Sequence, residues 1–199
     1  MEDRRVVVLV VPAEGTWAPP GRSMDAWRLA LAEDTYEVLA SLDRVEVAVA
    51  VIGGDQSALP GIAALTYPGT PVYAAGSVLD AVAKAGPAAA VVAVSHDAPD
   101  LPGLLIGKLF RALSSADIAV CPSEDGSLVA IGVNVPVAPW VSVDLGFDTG
   151  LAELERTKPR RHAVAVGPGW HRLRSGGDLA RLDPGLEGWD ATRSILRGA

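Results

Sequence analysis

The sequence predicts an α/β fold built on a mainly parallel sheet. Short apolar runs alternate with longer helical patterns along most of the chain, which is the order of strand–helix–strand units. The runs are continuously apolar rather than alternating: residues 6–11 read VVVLVV and residues 89–94 read AAVVAV. Strands of that kind are covered on both faces. No internal repeat and no clear linker divides the 199 residues, so one domain spanning 1–199 is expected.

Each element follows from local signals. The first strand, residues 6–11, stops at Pro12, and residues 12–24 form a Pro/Gly-rich loop. A helix is expected over about 25–42, with Ser23 or Asp25 placed to cap it. Trp27, Leu31, Val38 and Leu42 fall near one face, with Arg28, Glu33 and Glu37 turned to water. A second strand, 45–52, is closed by Gly53-Gly54-Asp55. A short helix (57–65), a short strand (71–74) and a helix (76–84) come next. Residues 89–94 read as a central strand, followed by a helix at 101–114 and strands at 117–121 and 127–132. A helix at 148–156, a strand at 163–166 and a short helix at 178–182 follow. The tail, about 183–199, is expected to pack as a helix near 192–196 or to be partly disordered.

Composition narrows the function classes. Hydrophobic residues make up 49% and charged residues 21%, with a formal net charge of -7. That is too apolar for a disordered chain and too acidic for a general nucleic-acid binder. The charge is uneven: residues 1–155 carry 8 basic and 20 acidic side chains, residues 156–199 carry 9 and 4. A single cysteine, Cys121, allows no internal disulfide. The run 6–11 is far shorter than the ~20 residues of a membrane span and lacks a signal-peptide cleavage site. A soluble, cytoplasmic protein is expected. Five Trp residues, Trp17 and Trp170 among those in loops, suit core packing, base stacking or a homodimer interface.

Several chemistries lack their motif. No G-x-G-x-x-G follows the first strand and no G-x-S-x-G occurs. The stretch 103–109 is one residue short of a phosphate loop, lacks Ser/Thr after Lys108, and lies in a helical pattern. His96, His162 and His171 show no ligand spacing and read as surface or loop residues. Cys121 reads as a small buried hydrophobe.

Two acidic segments remain. The central strand runs into Ser95-His96-Asp97-Ala98-Pro99, so Asp97 lies at a strand's carboxyl end, where open α/β sheets bind ligands. A carboxylate there suits either a hard divalent cation shared with substrate phosphates or a plain turn. Asp100 assists it or begins the next helix. Pro122-Ser123-Glu124-Asp125-Gly126 lies between two further strands. It reads either as an acidic turn or as a second acidic site lining the same crevice.

Together these segments resemble a bacterial family of glycosyltransferase-A-like proteins, close in fold to guanylyltransferases that act on molybdenum cofactor and phospholactate. The matching residues are Ser95/Asp97/Pro99/Leu101, Ala116-Asp117-Ile118, Pro122/Glu124-Asp125-Gly126 and Ile131-Gly132. Pro139-Trp140 and Trp170 through Gly177-Asp178-Leu179-Ala180-Arg181-Leu182 extend the match. The resemblance implies a three-layer α/β/α nucleotide-diphospho-sugar transferase fold. It implies a nucleotide or nucleotide-sugar donor over the first strands, and Mg²⁺ or Mn²⁺ held by Asp97. Glu124 or Asp125 would then position the acceptor or the metal, with Ser95 and Gly126 in the ligand-binding set. The implied activity is metal-dependent glycosyl or nucleotidyl transfer; the alternative is a catalytically degenerate relative that binds a ligand or a partner protein. The chain departs from the family pattern in three places, one being Ser127-Leu128-Val129 after Glu-Asp-Gly, where the family tends to have aromatic residues. The loop after the first strand keeps only Arg22 of a basic segment suited to phosphates, and Arg172 and Arg174 stand where the family usually has Asp. Guanidinium forks bind phosphate, so these two are candidate ligand-binding residues in place of a metal contact.

Overall fold

A computed structural model describes residues 5–54 and 56–198. Asp55, read above as part of a turn, lies outside the described residues, as do residues 1–4 and 199 of the expected domain. The strands are β1 (Arg5–Pro12), β2 (Glu46–Ile52), β3 (Val72–Ala75), β4 (Ala90–Ser95), β5 (Ile118–Pro122), β6 (Leu128–Asn134) and β7 (Val164–Val166). The helices are α1 (Met24–Ala40), α2 (Leu59–Ala63), α3 (Val78–Lys84), α4 (Gly103–Ala112), α5 (Leu151–Thr157) and α6 (Asp190–Arg197), with a 3-10 turn at Gly176–Arg181.

All seven strands join one sheet in the order β3-β2-β1-β4-β6-β5-β7. β1 pairs in parallel with β2 and β4, β2 with β3, and β5 with β7. β6 runs antiparallel to both its neighbours, β4 and β5. The reason is local. Residues 123–127 make a tight reversal, Ser123 N donating to Ser127 O at 2.8 Å and Gly126 N to Ser123 O at 3.0 Å. Gly126 has φ +85°, which glycine adopts without strain. The hairpin therefore folds β6 back into the space between β4 and β5.

The continuous Val runs are explained by two covered faces. Val7, Leu9 and Val11 of β1 pack with Tyr36 and Leu39 of α1 and Ile106 and Leu109 of α4. Val6, Val8 and Val10 pack on the opposite side with α3 and with Leu145, Phe147 and Leu154. The result is a three-layer α/β/α arrangement. A third apolar group joins Trp27 and Leu31 of α1 to Leu173, Leu182 and Trp189 of the C-terminal segment. α1 is thus covered by the sheet on one side and by the C-terminal segment on another, and it has no single apolar stripe. One open choice is settled here and one expectation changes. Ser23, not Asp25, is the N-cap, its Oγ accepting from Ala26 N at 3.3 Å. Arg28, expected in water, is buried and donates to Pro12 O at 3.2 Å.

α6 is attached by a cap in trans. Its entry residue, Trp189, has φ +45° and supplies no side-chain cap. Instead Asp34 of α1, buried, accepts from Ala191 N at 3.0 Å and Thr192 N at 2.7 Å. An anion at a helix N-terminus satisfies amides that lack intrahelical partners. No helix among the described residues is long and apolar enough to cross a membrane.

Candidate active site

Six of the seven strands run the same way, so the carboxyl ends of β1, β2 and β4 share one edge of the sheet. A cavity of about 580 Å³ opens there, its apolar lining supplied by Val10, Pro12, Ile52, Leu145 and Phe147. Ser95, His96, Asp97, Asp148, Arg172 and Arg174 also line it. Its size and edge position are those of ligand sites in open α/β sheets.

Asp97 leaves β4 buried, 5% exposed. Ser95 Oγ donates to its Oδ1 at 2.7 Å. Arg172 Nε donates to Oδ1 at 2.9 Å and to Oδ2 at 3.1 Å. The guanidinium is itself buried, 8% exposed, so this is a desolvated ion pair. Burial alone would raise the Asp97 carboxyl, but the charge of Arg172, helped by His96 and the two side-chain hydrogen bonds, outweighs it and holds the group below its usual value. Burial likewise disfavours the charged Arg172, and Asp97 reverses that too.

The backbone explains how two residues 75 apart in sequence meet. The closing segment crosses the carboxyl edge of the sheet, with Trp170 N donating to Pro122 O at 3.0 Å and Leu173 N to Asp97 O at 2.7 Å. Leu173 is buried against Trp27 and Leu31. Between these anchors, Arg172 is aimed at Asp97. Its outer nitrogen Nη1 reaches Ser127 Oγ at 3.5 Å and Asp148 Oδ1 at 3.4 Å, and its Cζ lies 5.8 Å from the Phe147 ring centroid.

Arg174 sits two residues on, partly exposed, with Nη1 3.0 Å from Asp148 Oδ1 and 3.6 Å from Asp125 Oδ2. Asp125 accepts from Ser127 N at 2.9 Å and Ser127 Oγ at 2.6 Å. Partial desolvation raises its carboxyl, and these bonds with the charge of Arg174 bring it below the usual value. His96 lines the cavity partly buried. Desolvation dominates there, and its pKa falls to about 4, leaving a neutral imidazole at pH 7.

The expected site residues divide. Asp97, Ser95, Asp125, Arg172 and Arg174 gather around one end of the cavity. Gly126 shapes the adjacent turn. Glu124 does not join them: its side chain is 76% exposed and pairs with Arg181 at 2.9 Å. It lines a second cavity of about 490 Å³ together with Trp170 and His171. Because β6 lies between β4 and β5, the two acidic strand ends are roughly 9–10 Å apart across the sheet, and Glu124 turns away from Asp97. Arg22 is also elsewhere, its guanidinium beside Gly198 at the end of α6.

Three residues carry more structure than the sequence showed. Asp100 is buried and accepts from Trp170 Nε1 at 3.2 Å, and His171 Nε2 lies 3.0 Å from the same oxygen. His171, expected at the surface, is buried and stacks on Trp170 at 4.9 Å. Cys121 is buried, donates to Pro168 O at 3.1 Å, and burial pushes its thiol up to about 12. It is an inert packing residue.

A divalent cation on Asp97 was implied by the resemblance. Among the described residues no three His, Cys, Asp or Glu side chains are grouped to hold a metal ion. Both Asp97 oxygens already receive hydrogen bonds from a guanidinium, a group that cannot act as a ligand. The donor set fits an internal cation rather than Mg²⁺ or Mn²⁺.

No family model and no curated protein matches this sequence. Solved structures do match in shape. A protein classed as a nucleotide-diphospho-sugar transferase from Desulfovibrio desulfuricans G20 superposes with a TM-score of 0.64 at 17% identity, over 97% of this chain and 95% of that one. A cytidylyltransferase from Leptospira borgpetersenii gives 0.62 at 10% identity, over 98% and 94%. Glucosyl-3-phosphoglycerate synthase of Mycobacterium tuberculosis, solved with Mg²⁺ and UDP, gives 0.57 at 15% identity, over 89% and 74%. With the sheet order, the layers and the edge cavity already described, these likenesses establish that the chain has the nucleotide-diphospho-sugar transferase fold.

Proposed function

We propose that the chain binds a nucleotide-activated donor in the cavity at the carboxyl edge and transfers its glycosyl or nucleotidyl group. The observation that carries this reading is the polar end of that cavity. There, two guanidiniums, Arg172 and Arg174, line the same cavity as the apolar side chains of Val10, Ile52 and Val78. The apolar side chains suit a planar base, and the guanidiniums suit the phosphates. Negative charge that builds on a departing diphosphate would be stabilised by the same fixed positive groups. Asp97 and Ser95 act through Arg172 by holding its orientation. His96, neutral at pH 7, is able to accept a hydrogen bond from a ligand hydroxyl. The cytidylyltransferase and the UDP-bound synthase of the same fold support a nucleotide as the ligand class.

The saturated Asp97–Arg172 pair favours a second reading, a relative that binds nucleotide without turning it over. One experiment addresses both. Thermal shift with nucleoside triphosphates and nucleotide sugars should show stabilisation by at least one of them, lost in Arg174→Ala. Release of pyrophosphate or nucleoside diphosphate from the stabilising compound then separates transfer from binding. No stabilisation by any nucleotide overturns both.

A further inference from the structure

Asp148 has an unusual position. Its side chain is 74% exposed, yet its Oδ1 lies between the two guanidiniums, 3.4 Å from Arg172 Nη1 and 3.0 Å from Arg174 Nη1. The geometry points to a metal-independent diphosphate site formed by Arg172 and Arg174, whose place Asp148 holds when no ligand is bound. This rests on the nucleotide reading above and adds to it how the phosphates are held.

Three observations converge. First, Arg172 is fixed by Asp97 through Nε alone, so anchoring leaves its outer nitrogen directed at Ser127 and at Asp148, which lines the cavity. Its contacts there, at 3.4 and 3.5 Å, are long and weaker than well-formed charge-assisted bonds. Second, one carboxylate oxygen bridging two guanidiniums occupies the place a phosphate oxygen would take. A diphosphate offers several such oxygens and more charge, so it satisfies both forks better than Asp148 does. Third, the backbone around Asp148 is tied independently of its side chain. Phe147 O accepts from Leu128 N at 2.7 Å, and Thr149 and Gly146 bond each other. Asp148 therefore leaves by side-chain rotation alone.

Asp144 and Glu153 oppose an anion at the other side. They line the large cavity and also the adjoining one of about 160 Å³, away from the guanidiniums. Their charge steers phosphates toward Arg172 and Arg174.

The test is calorimetric titration of the full chain with inorganic pyrophosphate in excess EDTA. Wild type should bind. Asp148→Asn should bind about tenfold tighter, and Arg174→Ala at least tenfold weaker. Glu187→Gln, the same loss of charge at an exposed site outside the cavity, should match wild type. That comparison separates displacement of Asp148 from a general change in net charge. Titration with Mn²⁺ alone should give no binding. Binding of pyrophosphate only when Mn²⁺ is present, unchanged or weaker binding in Asp148→Asn, or no binding in EDTA by either protein would overturn the inference. If the nucleotide screen still shows stabilisation, the functional reading survives that outcome; if it shows none, both fall.

Discussion

Asp97 and Asp100 leave the same strand three residues apart, and both are buried, yet their surroundings differ. Asp97 meets the permanent charge of Arg172 beside the large cavity. Asp100 meets His171 and the Trp170 indole beside the smaller one lined by Glu124. Residues 171 and 172 are consecutive in an extended crossing segment, so their side chains point to opposite sides. One short stretch of chain thereby partners both acids. The difference shows where chemistry is expected. A guanidinium remains charged at every accessible pH and keeps outer donors for a ligand, whereas an imidazole stacked on indole is committed to packing.

The largest effect should come from breaking the first pair. Arg172→Ala leaves a buried carboxylate without its cation and should cost about 3–5 kcal/mol in urea unfolding. Arg172→Lys should recover part of that stability but not the geometry of a fork.

The pH dependence is the next test of the cavity side. The folded-state pKa of His96 is lowered from 6.5 to about 4, chiefly by desolvation. The unfolded chain takes up the proton first, so stability contributed by neutral His96 is full above 6.5 and is lost as pH falls from there to about 4. Asp97 and Arg172 both face this imidazole and act on it in opposite directions. Asp97 itself is depressed, so its contribution persists to lower pH and is lost only as pH falls below the ordinary carboxylate value. Urea midpoints across this range should decline in two stages, and His96→Asn should remove the upper one.

Breaking the second acid's contacts should cost less. His171→Ala removes a buried ring stacked on Trp170, while Asp100 keeps its Trp170 bond, with an expected loss of about 1–3 kcal/mol from lost packing. It should leave nucleotide-induced stabilisation unchanged, whereas Arg174→Ala should abolish it. The smallest effect is at the junction of α1 and α6. Asp34→Ala removes the trans cap of α6 at a cost of about 1 kcal/mol, seen as faster amide exchange at Ala191 and Thr192 before global unfolding.

Much of the framework was readable in advance. The strands at residues 6–11 and 89–94 announce themselves because a run of β-branched residues with no polar interruption tolerates only a two-sided burial. The hairpin at Gly126 was visible as an Asp-Gly turn, although its consequence, β6 inserted antiparallel between β4 and β5, was not. That insertion is why Glu124 and Asp97 do not meet, and no local signal encodes the distance between two strand ends. Arg28 differs for a related reason: a helical wheel assigns a polar residue to water, and only the end of β1 at Pro12 supplies its acceptor.

The sequence by itself determined the α/β order, the strands covered on both faces and the strand end that bears Asp97, because these depend on periodicity and residue type. Only the tertiary structure decided which polar group meets which. Asp97 with Arg172, Asp148 between two guanidiniums, Asp34 under α6 and His171 against Asp100 join residues far apart in the chain. Electrostatic pairing depends on distance and desolvation in three dimensions, and neither is written in the order of residues.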